Sequence, residues 1–378
     1  MRETEGRGIM SVLERMVAGG YEQVVFCTNS EVGLRAIIAI HDTTLGPALG
    51  GVRMWPYRTE GEALEDVLRL ARGMTYKNAL AGLDLGGGKA VILGDPRKDK
   101  SEGLLRAFGR CVDSLGGRYV TAEDVGMTPD DMEIILRETP YVTGLPREYD
   151  SSGNPSVATA AGVFAGIRAA LVHLTGSDSL EGRTVAIQGA GSVASHLVPL
   201  LREAGARVVL ADVYREKAEA LAAAYGAEVV DAEAIYDVEA DVFSPCALGG
   251  ILNAETIPRL RVRAVAGSAN NQLSRPEDVE LLRRRGILYA PDFVINAGGV
   301  INIFDEFTGY DEARALRRVS RLYDVLLAIF RRADAEGRDP NAVAEAMAEE
   351  RIAQARAWRK PLRAGTSRLL AALEARRI

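Results

Sequence analysis

Cysteine and histidine are scarce: three of each occur in 378 residues. Cys27, Cys111 and Cys246 lie far apart with no CxxC pair. That spacing excludes a disulfide framework and a zinc knuckle, and it fits a reducing compartment. His41, His173 and His196 form no metal-ligand spacing, so no metal is expected. A basic stripe is missing as well. Lys and Arg total 46 against 52 Asp and Glu, and the net charge of −6 argues against a nucleic-acid partner. The short run Arg283-Arg284-Arg285 sits at an expected helix end, where it complements the helix dipole. No run reaches the roughly 18 apolar residues of a membrane span. The N-terminus carries charges where a signal peptide is apolar. A soluble cytoplasmic protein without a membrane partner is expected. No repeat or low-complexity segment is visible.

What remains is an ordinary globular composition, 47% hydrophobic and 26% charged, long enough for two domains with separate cores. Residues 21–27 and 34–41 have strand composition, with a turn marked by Asn29, Ser30, Glu31 and Gly33. Thr59 and Glu62 form a capping-box pattern ahead of an amphipathic helix. A strand over 89–93, a helix over 101–115 and a strand over 118–121 follow. Thr128-Pro129 opens another helix. The Pro-, Gly-, Ser- and Asn-rich stretch 144–155 reads as a hinge. From Arg183 onward strands (184–188, 207–211, 228–230, 241–243, 262–266) alternate with helices (193–203, 216–225), the pattern of a parallel sheet covered by helices. A single helix over 313–330 carries the stripe Leu316, Val319, Tyr323, Leu326 and Phe330.

Two lysines stand where lysine is unexpected. Lys77 continues the apolar stripe Leu64, Val67, Leu68, Ala71, Met74, on or beside the buried face. Lys89 follows three glycines and opens an apolar strand. Buried ammonium groups need partners, and the glycines offer bare backbone against which a small anion or substrate could lie. The pair suggests a site that holds a carboxylate and carries out amine chemistry.

A second signal is Gln188-Gly189-Ala190-Gly191-Ser192-Val193-Ala194, placed between a strand and a helix. Gly189 permits the tight turn, Gly191 lets a pyrophosphate approach the backbone, and Ala194 permits close helix–sheet packing. Asp212 ends the next strand, 21 residues after Gly191, where an acid binds a ribose 2′-hydroxyl. That acid repels a 2′-phosphate and favours NAD over NADP, whereas Arg215 nearby pulls the other way.

Several long motifs occur in one order: LGPALGGVRMW (45–55), the segment 74–89, TAEDVGM (121–127), PCALG (245–249), GSANNQL (267–273) and YAPDFVINAGGVIN (289–302). With them the chain resembles the amino-acid dehydrogenases of the glutamate/leucine/phenylalanine/valine superfamily, most nearly the leucine type. The resemblance implies an α/β protein of two domains separated by a cleft. A mixed α/β substrate-binding and oligomerisation domain spans 1–145, with C-terminal helices from about 340 to 378 packing back on it. A Rossmann-type NAD-binding domain spans 146–339.

The resemblance also implies roles. Lys77 binds the substrate α-carboxylate, Lys89 activates the attacking water, and Asp124 exchanges protons with the amino group. Leu49, Ala122, Val300 and Ile303 line an aliphatic pocket, and Gly50 and Gly51 give close backbone approach. Thr159, Ser192, Val193, Ala247 and Asn270 join Gly189, Gly191 and Asp212 around the cofactor. The implied reaction is reversible NAD-dependent oxidative deamination of leucine, valine or isoleucine to the 2-oxo acid and ammonia, in a homo-oligomer (octamer or dimer). Two alternatives are an aromatic (phenylalanine-type) dehydrogenase and, in a different class, a catalytically silent NAD-binding regulator. The second is disfavoured because both lysines and the acid are present. Ile303, where valine is common, narrows the pocket.

Overall fold

The computed structural model describes residues 10–149, 151–357 and 368–375. Contacts divide the described chain into two units. The first draws on the described residues within 1–75, 84–143 and 358–378; the second draws on those within 76–83 and 144–357.

In the first unit helix α1 (Val12–Gly19) begins at a capping box between Ser11 and Glu14. Strands β1 (Gln23–Asn29) and β2 (Leu34–Asp42) pair antiparallel around Gly33, whose φ of 71° only glycine adopts readily. They join β3 (Ala48–Trp55), β4 (Gly86–Leu93) and β5 (Tyr119–Glu123) in a mixed sheet of order β1-β2-β4-β3-β5. Helix α2 (Glu60–Leu80) starts where the capping pattern placed it. Thr59 Oγ1 accepts from Glu62 N at 3.1 Å, while Glu62 reaches back to Arg58 N at 3.0 Å. Its stripe Ala63, Leu64, Val67, Leu68 and Ala71 packs on Ile37, Ala39 and Val91. Each fully buried Leu or Val there contributes roughly 1.5–3 kcal/mol, so Val67→Asp would detach the helix. Helices α3 (Glu102–Asp113) and α4 (Pro129–Leu136) are capped by Ser101 and Thr128 and bury Leu105, Phe108, Val112, Met132 and Ile135.

The second unit opens with α5 (Ser156–Thr175), a helix that the sequence reading passed over. It is long and apolar enough by composition to cross a membrane, contrary to the expectation that no segment was. More than half of that window is buried in the fold, against neighbours later in the same unit, so it serves here as a core helix. Strands β6 (Thr184–Gln188), β7 (Arg207–Ala211), β8 (Glu228–Val229), β9 (Val242–Pro245), β10 (Ala264–Val265) and β11 (Leu288–Tyr289) form a wholly parallel sheet, interleaved with α6 (Ser192–Glu203), α7 (Arg215–Tyr225) and α8 (Asp278–Arg284). The spatial order β8-β7-β6-β9-β10-β11 is the 3-2-1-4-5-6 winding of dinucleotide-binding sheets. Helices α9 (Asp292–Ile295) and α10 (Gly298–Asp305) lead to the expected helix over 313–330. That segment is in fact two helices, α11 (Glu312–Val319) and α12 (Leu322–Glu336), broken at Ser320–Arg321, where Ser320 Oγ bonds Arg317 O at 2.9 Å. An apolar stripe of one period continues across the break, so periodicity could not reveal it.

Helix α13 (Pro340–Arg356) groups with the second unit, whereas the sequence reading joined everything from about 340 to the first domain. Arg351 on α13 donates to the carbonyls of Ala79 in the last turn of α2 and of Leu83 just beyond it, and Tyr76 Oη donates to Glu349 Oε1 at 2.6 Å. Near the C-terminus, the described residues 368–375, which include the short α14 (Ala371–Glu374), group with the first unit, where Tyr141 Oη meets Glu374 at 3.2 Å.

Candidate active site

Strand register places Lys89. Leu49 stands opposite Gly87, Arg53 opposite Val91, Gly51 opposite Ala122, and Ala39 opposite Lys89. Ladder partners point to the same side of a sheet, and side chains alternate along each strand. Lys89, Leu49, Gly51, Arg53 and Ala122 therefore share the face that α2 covers through Ile37, Ala39 and Val91.

A buried ammonium there requires a counter-charge. Lys89 is 7% exposed, and its Nζ lies 2.6 Å from Asp124 Oδ2, immediately past β5. Arg53 Nε approaches the same oxygen at 3.3 Å. Burial would push the Asp124 carboxyl up. The charges of Lys89 and Arg53 outweigh it and, with hydrogen bonds from Lys89 and the Val125 backbone, hold it at about 2. The adjoining Glu123 moves the opposite way, raised by burial and by the nearby charges of Asp124 and Asp131. Neighbouring carboxyls driven apart in this way are a mark of acid–base sites.

Leu49 and Ala122 are buried on this face. Gly50 and Gly51 are required by close packing: a Cβ on Gly50 would stand 1.8 Å from Gly88 O, and one on Gly51 would stand 2.9 Å from Asp124 Cβ. The three glycines before Lys89 belong to β4, not to an open floor as the sequence suggested. The space beside Gly87 is filled by Thr75 of α2, 2.1 Å from where a Cβ would be, and Gly88 lies against the Tyr119 ring. These two glycines admit protein, not a ligand.

Lys77, half-buried near the end of α2, groups with the second unit and interacts electrostatically with Asp292 at the start of α9. Burial raises the Asp292 carboxyl, opposed by Gln272 N, which donates at 2.8 Å, and by Lys77. Sequence reasoning missed Asp292. It also missed Arg53, quoted only inside its motif. Val300 and the half-buried Ile303 lie on α10.

The glycine turn is where the motif placed it, at the carboxyl end of β6 between β7 and β9, the point at which strand order reverses. Gly189 has φ 102° and lies against Ala247 after β9. Gly191 precedes α6, which no side chain caps, and a Cβ on Gly191 would meet nothing within 4 Å. The exposed Ser192 and half-buried Val193 form the first turn, with Asn154 Nδ2 donating to Ser192 Oγ at 3.2 Å. Asp212 accepts from Ala190 N at 2.7 Å and from Tyr214 N at 2.8 Å, one bond on each oxygen. Each oxygen keeps a lone pair for a hydroxyl. Arg215 is engaged by Glu219 and Asp231. Thr159 Oγ1 bonds Pro155 O at 2.9 Å beside Gly299. Asn296, also unforeseen, orients Asn270 by donating to its Oδ1 at 2.8 Å, while its own Oδ1 is a buried acceptor without a protein partner. An uncapped helix start, space at Gly191 and an acid with spare lone pairs fit a dinucleotide.

Models of known protein families match both parts of the chain. A family model described as the Glu/Leu/Phe/Val dehydrogenase dimerisation domain matches residues 21–141, and one for glutamate/leucine/phenylalanine/valine dehydrogenase matches 152–213 and 210–356. The chain belongs to this dehydrogenase family. A leucine dehydrogenase of Geobacillus stearothermophilus is 55% identical over 352 residues, covering 93% of this chain and 96% of the relative. A valine dehydrogenase of Streptomyces albus is 52% identical over 344 residues, covering 90% and 94%. The crystal structure of an L-tryptophan dehydrogenase from Nostoc punctiforme aligns with a TM-score of 0.82 at 46% identity, over 92% of this chain and 100% of that one. As a member of the Glu/Leu/Phe/Val family the protein is an amino-acid dehydrogenase of two α/β domains, dependent on a nicotinamide nucleotide.

Proposed function

We propose that this dehydrogenase carries out the reversible oxidative deamination of a branched-chain L-amino acid, with NAD, to the 2-oxo acid and ammonia. The observation that carries this reading is the Lys89–Asp124 ion pair, set on one buried face with Leu49 and Ala122. Lys77 takes the substrate α-carboxylate. Leu49, Ala122, Val300 and Ile303 offer only hydrocarbon to the side chain, and a glutamate would leave its second carboxylate unpaired there. A bound nicotinamide would supply the acceptor for hydride from the substrate α-carbon. Lys89 then takes a proton from the water that attacks the imine carbon, and Asp124 exchanges protons with the departing nitrogen. Their 2.6 Å contact gives the proton a direct path between the two residues.

The turn at Gly189 and Gly191, the start of α6 at Ser192 and Val193, and Thr159, Ala247 and Asn270 hold the nucleotide. Asp212 sets the preference for NAD, reinforced by Arg215 being committed to Glu219 and Asp231. The first unit provides the contacts of a homo-oligomer, in line with the dimerisation-domain model that matches it. The tryptophan dehydrogenase supports a second reading, an aromatic substrate. Against it stand Ala122, bulkier than a glycine, and Ile303.

The test is Lys89→Ala. Loss of a general base should lower NADH formation from leucine by roughly 10²–10⁴-fold, with NAD binding by fluorescence titration retained. Near-normal turnover would remove Lys89 from its role.

A further inference from the structure

Lys89 and Asp124 do not form an isolated pair. Arg53 lies on the same face of the sheet, and its guanidinium spans two carboxylates: Nε meets Asp124 Oδ2 at 3.3 Å, and Nη1 meets Asp66 Oδ2 on α2 at 2.9 Å. Asp66 is itself held by Tyr57 Oη at 2.7 Å and by Arg69 Nη2 at 2.8 Å. Arg53 is thus anchored from the helix side and presents one edge to the reacting carboxylate. Nothing in the family match or in the motif assigns it a part in the reaction.

We infer that Arg53 is a positioning residue for the deamination: it fixes Asp124 beside Lys89 and offsets part of the carboxylate's charge, so that the lysine can release its proton. The inference rests on the roles proposed above for Lys89 and Asp124.

Both consequences follow from one hydrogen-bond geometry. Asp124 Oδ2 receives two cations, and a guanidinium stays charged throughout the working pH range. A carboxylate facing Lys89 alone would favour the ammonium with its full charge. Sharing Oδ2 with Arg53 weakens that hold, and the Asp66 anchor keeps Arg53 from swinging in to replace Lys89. Other charged or titratable groups facing Asp124 are Glu123 beside it on β5 and Tyr119 within β5, while Asp131 at the start of α4 acts on Glu123. Tyr119 stays protonated, pushed up by burial, so it adds no charge. Lys89, Arg53, Arg69, Asp124 and Asp66 make up the core of the cluster.

The experiment is the pH dependence of kcat for leucine oxidation in wild type, Arg53→Gln and Arg53→Lys. A general base works in its unprotonated form, so kcat for oxidation is expected to rise with pH. Without the guanidinium, Asp124 acts on Lys89 undiluted, and the rise should move to higher pH by on the order of one unit. Near neutrality Arg53→Gln should then be about tenfold slow, and it should recover toward wild type at alkaline pH. Arg53→Lys keeps the charge and should restore most of the profile. A uniform loss at every pH, or an unmoved profile, overturns the inference. Lys89→Ala and NAD titration run alongside. An active Lys89→Ala indicts the underlying assignment, whereas an inactive one with normal NAD binding leaves Arg53 alone on trial.

Discussion

At the scale of single residues, the proposed reactive centre is a small set of charges whose balance decides what each can do. Lys77→Ala removes the proposed carboxylate partner and should raise the KM for leucine strongly while leaving NAD affinity unchanged; steady-state kinetics check this, and an unchanged KM points to another cation. Asp124→Asn leaves Lys89 and Arg53 without their shared partner. Removing one member of a buried pair typically costs about 3–5 kcal/mol, measurable by denaturant unfolding at neutral pH. The pH dependence has a fixed sign. The Asp124 carboxyl is lowered from 3.8 to about 2 by folding, so its contribution is complete above the unfolded value and fades as pH falls through the folded one. The gap between wild type and Asp124→Asn should therefore shrink from about pH 4 downward. A constant gap would mean that Asp124 stabilises by something other than its charge.

At the scale of elements, the nucleotide turn gives the sharpest expectation. Gly191 has φ −86° and open space where a Cβ would go. Gly191→Ala should fold with near-native stability and still bind NAD more weakly, because the added methyl meets no protein atom and would stand where the nucleotide is proposed to lie; thermal melts and NAD titration separate the two. Gly87→Ala should behave oppositely and lose stability, since its Cβ would strike Thr75 of α2. The same contrast shows what was legible in the sequence. β6, α6 and β7 could be read almost to the residue because a strand, a glycine turn and a spaced acid reinforce one another. α2 was legible from its stripe, and Lys77 and Lys89 from being charged where apolar residues were due. β3 was not identified as a strand because Gly50 and Gly51 interrupt it, and α5 was passed over because it is apolar on every side and shows no stripe. Arg53, Asp292 and Asn296 could not be found from spacing: their meaning depends on partners 71, 215 and 26 residues away in sequence, namely Asp124, Lys77 and Asn270. Only the folded chain brings those residues together.

At the scale of the whole molecule, two α/β units divide the work. The first holds Lys89 and Asp124 on a mixed sheet, and the second holds the nucleotide turn on a parallel one. Cofactor choice belongs to the second unit. If Asp212 faces the ribose as proposed, with Arg215 committed to Glu219 and Asp231, kcat/KM should be higher with NAD than with NADP, and Asp212→Ala should narrow the difference. Equal use of both cofactors by wild type would overturn the assignment of Asp212. The most direct test of the central claim is kcat/KM of the purified protein, with NAD, for leucine, valine, isoleucine, phenylalanine, tryptophan and glutamate. One methylene in an apolar pocket is worth only about 1–3 kcal/mol, so we expect all three aliphatic substrates to be accepted and each to exceed the other three amino acids. A higher value for phenylalanine, tryptophan or glutamate than for every aliphatic substrate would contradict it.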